Sequence, residues 1–248
     1  MSSVSVLPRG ERLLVSAGLL GAALLAWLYL FYDAHRTNAA GMSCACTQTS
    51  AVFLLFVMWS VMMMAMMLPS ALPMVLTFAA VSRNRRQHGR PYVPVIIFVG
   101  GYLVVWLLFS AAAALAQWLL HRRALLSPGM VSTNALLAGV LLLTAGVFQF
   151  TSLKRACLTR CRGPMEWIMT RWREERAGAF RMGIEHGLFC TGCCWALMTL
   201  LFVLGVMNLF WVAALSLLVC IEKLLPRPAL TIPAIGAVLI LWGTYVLV

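Results

Sequence analysis

Apolar residues in this chain fall into long uninterrupted runs, and the charges collect in the short segments between them. A run of about 20 apolar residues crosses the ~30 Å hydrocarbon core of a bilayer as a helix. A helix also lets each backbone polar group find its partner within the segment. The first run, 13–31, follows Arg9 and Arg12. It exceeds a usual signal-peptide core and no small-x-small site follows it, so it is expected to stay as a spanning anchor. The polar segment 33–50 carries Met42, Cys44 and Cys46. The run 51–81 is long enough to cross with tilt, or to kink at Pro69 and Pro73.

A basic loop over 82–91 leads into a third run, 93–120, and Ser127-Pro128-Gly129 supplies turn chemistry before a fourth, 135–150. The stretch 164–182 sets Met165, Ile168, Met169, Trp172 and Phe180 on one side and arginines elsewhere, the pattern of a helix lying in the interface. Two more runs follow at 186–204 and 209–221, separated by a tight turn at 205–208. Pro226-Arg227-Pro228 then breaks the chain before the last run, 229–248. The fold class expected is all-α: a polytopic helical membrane protein of about seven transmembrane helices plus one interfacial amphipathic helix. The last two runs could instead form a re-entrant hairpin. Residues 1–50 read as an N-terminal anchor and outer loop, and 51–248 as one helical membrane domain.

Composition fits this pattern, with 62% hydrophobic residues, 10% charged and a mean hydropathy of +0.93. In a soluble protein a net charge of +12 would suggest nucleic acid. Here topology explains it: with the N-terminus inside, only Arg36, Arg122 and Arg123 of the 19 basic residues fall outside. That asymmetry follows the positive-inside rule. It implies a multi-pass membrane protein with a cytoplasmic N-terminus, the lipid bilayer as its surroundings and no nucleic-acid partner. The eight cysteines lack the regular spacing of a secreted disulfide framework.

Three groups of residues carry candidate chemistry. In the second run, Met58, Met62 and Met66 share a narrow helical arc at about 100° per residue, with Met63 and Met67 beside them and Met64 opposite. Thioethers in a row serve either as soft packing or as ligands for a soft ion such as Cu(I). In the fifth run, His186, Cys190, Cys193 and Cys194 fall within an arc of about 100°. Thiolates with an imidazole prefer Cu(I) or Zn²⁺, although a small residue such as cysteine also packs well between helices. Cys157 and Cys161 stand one turn apart among cationic neighbours that favour the thiolate. Glu222, at the end of the sixth run, is either paired with a cation or part of the ligand set. Met42, Cys44 and Cys46 could capture a soft ion or form a disulfide.

Three blocks occur together: M-W-x-V-M-M-x-A-M-M-x-P from Met58, Q-F-x-x-L-K-x-x-C-L-x-x-C-R-x-P from Gln149, and G-x-F-C-x-G-C-C-W-A-L-M from Gly187. G-V-M-N-L at 205–209 and Glu222-Lys223 follow them. On these motifs the chain resembles an uncharacterised bacterial family of predicted metal-binding integral membrane proteins. The resemblance covers about 51–223 and implies metal binding in a membrane. By motif it points to Met58, Met62, Met63, Met66, Met67, Cys157, Cys161, Cys190, Cys193, Cys194 and Glu222.

The leading function is therefore handling of Cu(I), by transport or by delivery to a membrane cuproenzyme, with a metallochaperone as a further partner. One alternative is a thiol–disulfide oxidoreductase using Cys190 and Cys193, which a reducing cytoplasm disfavours. Another is an assembly subunit with a structural zinc site. No catalytic dyad is apparent, so an enzyme is not the favoured reading.

Overall fold

A computed structural model of the protein describes residues 7–39, 48–123, 134–224 and 228–248, and every regular element among them is a helix. In order these are α1 (Arg9–Ala39), α2 (Gln48–Gln87), α3 (Val95–Arg122), α4 (Ala135–Gln149), α5 (Ser152–Arg162), α6 (Pro164–Arg171), α7 (Glu175–Thr199), α8 (Leu201–Leu204), α9 (Leu209–Leu224) and α10 (Pro228–Leu247). Met42, Cys44, Cys46 and the turn at 127–129 lie outside the described residues.

Four stretches are long and apolar enough to cross a membrane: Arg9–Arg36, Ala51–Gln87, Val95–Arg122 and Glu175–Leu204. A fifth arises if α4 and α5, which meet at 63°, count as one broken span. The bend has a local cause. Phe150 ends α4, and Thr151 is extended (φ −70°, ψ 147°), with its side chain accepting from the backbone N–H of Lys154 to start α5. The last two expected spans correspond to α9, of 16 residues, and α10, whose apolar part is Thr231–Leu247. The expected tight turn is present at Gly205, whose φ of 95° is a conformation glycine adopts without strain.

Two expectations need correction. The amphipathic stretch is not one interfacial helix. It splits into α6 and the start of α7, because Trp172 (ψ 129°) and Glu174 (ψ 163°) are extended and Glu175 has a positive φ. Of its expected apolar face, Ile168 is fully buried while Met165 and Met169 are exposed. Consequently the fifth span begins at Glu175 rather than near His186. The charges in its first turns are held by ion pairs, with Glu185 meeting Arg173 at 3.2 Å and Arg181 at 3.5 Å. Pro69 and Pro73, for their part, do not end α2, which runs as one helix of 40 residues.

The core is built around α2, α3 and α7. Indole Nε1 of Trp59 donates to Oε1 of Gln117 at 2.6 Å, joining α2 to α3 near one end, and Phe78 stacks on Phe98 at 4.6 Å near the other. Glycines set the approach of α3 to α7: a Cβ on Gly183 would collide with the Phe98 carbonyl oxygen, and one on Gly101 with that of Phe180. Small residues allow such contact where apolar association alone offers little driving force. Most of the surface of α1 is left exposed, including Leu13, Leu14, Leu25 and Phe31.

Candidate metal centre

The close seating of α3 on α7 fixes one wall of a buried sulfur cluster. Cys190, Cys193 and Cys194 project from α7 and are each 1% exposed. Gly187, one turn before Cys190, lies against Val105 and so keeps that face of α7 close to α3. The thiols of Cys193 and Cys194 both reach the Cys190 carbonyl oxygen at 3.0 Å.

A second wall comes from α5. The side chain of Cys161 lies beside that of Cys193. A Cβ on Gly192 would lie 3.0 Å from Cys157 Sγ, so the glycine leaves room for that sulfur. The two cysteine groups that the sequence separates by about 30 positions therefore form one cluster, and all of their thiols are free.

Cations and hydroxyls frame the sulfurs. Lys223 Nζ lies 2.9 Å from Cys190 Sγ and 3.2 Å from Ser70 Oγ of α2. The Tyr102 hydroxyl is 3.2 Å from the same sulfur and 3.3 Å from the Met67 carbonyl oxygen. Glu222 bonds to a different set of residues. Its Oε2 meets Lys154 Nζ at 2.7 Å with both side chains buried, Gln149 Nε2 donates to its Oε1 at 3.2 Å, and Arg162 Nη1 donates to its carbonyl oxygen at 2.9 Å. His186 is buried one turn before Cys190 among the rings of Tyr102 (5.5 Å between centroids), Phe98 and Trp167.

Along α2, Met58, Met62, Met63, Met66 and Met67 are all buried in the protein rather than turned outward, while Met64 is half-buried. The end of this row, at Met67 and Ser70, meets the sulfur cluster through Tyr102 and Lys223. Sequence reasoning did not single out Tyr102, Lys223, Lys154, Gln149 or Ser70 as site residues. Gln149, Lys154 and Lys223 do stand inside the motif blocks, and a charge at the edge of an apolar run was the available signal.

Donor chemistry decides which ions the cluster suits. Sulfur dominates it, and soft sulfur donors select Cu(I) or zinc over magnesium or calcium. Among the described residues, no three His, Cys, Asp or Glu side chains converge as a ready-made metal site. A four-ligand cage for Zn²⁺ is thus not preformed, whereas a soft ion held by two sulfurs requires only a pair. Residues 56–246 match the model of a family described as PpoB2, copper chaperone, and the chain belongs to that family. No curated protein and no solved structure matches the chain.

Proposed function

Starting from membership of the PpoB2 copper chaperone family, we propose that this chain is an integral membrane protein of the bacterial inner membrane that passes Cu(I) from the methionine face of α2 to the cysteines of α7 and α5. The ion is its cargo, destined for a membrane cuproenzyme or for the other side of the bilayer. One observation carries this reading: Tyr102 and Lys223 each contact both Cys190 Sγ and α2, at the Met67 carbonyl oxygen and the Ser70 hydroxyl, so the inner end of the methionine row lies beside the cysteines.

Thioethers need no deprotonation, hold Cu(I) loosely and release it readily. Thiolates bind more tightly, so a methionine row ending at a cysteine cluster forms a graded path. Met58, Met62, Met63, Met66 and Met67 supply the loose sites, and pairs drawn from Cys190, Cys193, Cys194, Cys161 and Cys157 the tight ones. His186 adds an imidazole at the edge, and Glu222 supports the cluster through its bonds to α4 and α5. By the distribution of basic residues, Met58 lies toward the outside and the cysteines toward the cytoplasm.

Purified protein reconstituted with Cu(I) is expected to retain the metal in fixed stoichiometry, and Cys190→Ser with Cys193→Ser to lose it, as read by elemental analysis. Wild-type protein that retains no copper, or a double variant that retains as much, would sink the reading.

A further inference from the structure

Lys154 and Lys223 are both buried, but among the described residues only one of them has a carboxylate partner. Glu222 is committed to Lys154 at 2.7 Å. Lys223 instead has Cys190 Sγ at 2.9 Å and Ser70 Oγ at 3.2 Å. The Tyr102 hydroxyl that shares this sulfur is a neutral hydrogen-bonding group. The sulfur cluster therefore contains one positive charge that only sulfur can balance, and an unbalanced charge in an apolar interior is costly.

We infer that Lys223 is the specificity-determining charge of the sulfur site, making it electroneutral when a monovalent soft cation is held by two thiolates. This rests on the copper reading above. The single charge of the cation and that of Lys223 together cancel the two thiolates. Any thiol proton still present leaves as its sulfur binds the metal. A divalent cation on the same two sulfurs is neutral with them and leaves the ammonium of Lys223 unbalanced. It could restore neutrality with a third thiolate, yet Zn²⁺ in a closed site takes four ligands, and no such group of three or more converges among the described residues. Lys223 thus selects by repelling the wrong ion as well as by attracting the right complex.

The test measures Cu(I) and Zn²⁺ affinity of the detergent-purified full chain by competition with chromophoric chelators. Lys223→Met is expected to weaken Cu(I) binding by about tenfold or more, leaving Zn²⁺ binding unchanged or tighter. Lys223→Arg, which keeps the charge, should stay close to wild type for both ions. Equal loss of both ions in Lys223→Met, or no loss of Cu(I), would overturn the inference. X-ray absorption of copper-loaded wild type decides independently of whether Lys223→Met folds: two sulfurs around copper support the charge balance, and three or more overturn it. Wild type that binds no Cu(I) defeats the copper reading itself. Cu(I) bound equally by wild type and Lys223→Met defeats only the role of Lys223.

Discussion

Lys154 and Lys223 are the same residue type at similar depth, and they differ in what answers their charge. Lys154 closes a salt bridge with Glu222 that Gln149 supports. Lys223 answers a thiol, a group that can stay neutral or become an anion. The first arrangement joins α5 to α9 and gains nothing from a ligand. The second leaves a charge at the edge of the sulfurs for something to use. Burial alone does not separate an anchoring lysine from a functional one; the acid strength of its partner does.

Removing partners would show how real this contrast is. Glu222→Ala strands the Lys154 ammonium with no exposure to water and should cost about 3–5 kcal/mol, the range for breaking one half of a buried pair. Thermal unfolding in detergent would measure it, and a loss below about 1 kcal/mol would mean that Lys154 finds another acceptor. Replacing both members, Lys154→Met with Glu222→Met, should recover most of that loss, because no uncompensated charge remains. A double variant as unstable as Glu222→Ala would refute the pairing as the cause. The smallest effect is expected for Lys223→Met. It leaves Cys190 as a neutral thiol beside Tyr102, so stability should change by no more than about 1 kcal/mol. A loss as large as that of Glu222→Ala would erase the contrast between the two lysines.

Much of the arrangement around these lysines was readable from the chain. Helical spacing alone placed Cys190, Cys193 and Cys194 on one face, and they are buried together. The apolar run at 209–221 became α9, and the turn before it fell where glycine allowed it. The pairing of Lys154 with Glu222, 68 positions apart, was not readable. A charge at the end of an apolar run announces that it needs a partner without naming one, and nothing in the spacing points from Glu222 to a lysine on α5. The start of α7 was hidden for a related reason: Arg176 and Arg181 fit the polar face of an interfacial helix, whereas Glu185 gathers Arg171, Arg173 and Arg181 at the head of a spanning one. The break at Trp172–Glu174 left no signature, since none of those residues forbids a helix.

The Lys154–Glu222 pair has a mechanical consequence. Together with Arg162 on the Glu222 carbonyl, it rivets α5 to the last turn of α9. Cys161 sits on the first of these helices and Lys223 on the second, whereas Cys190, Cys193 and Tyr102 belong to the glycine-seated pair α7 and α3. The cluster thus draws sulfur from both helix pairs, and its ammonium comes from the pair that the Lys154–Glu222 bridge fastens. On the proposed copper reading, a shift of α5 and α9 against α7 would withdraw a ligand and its compensating charge together.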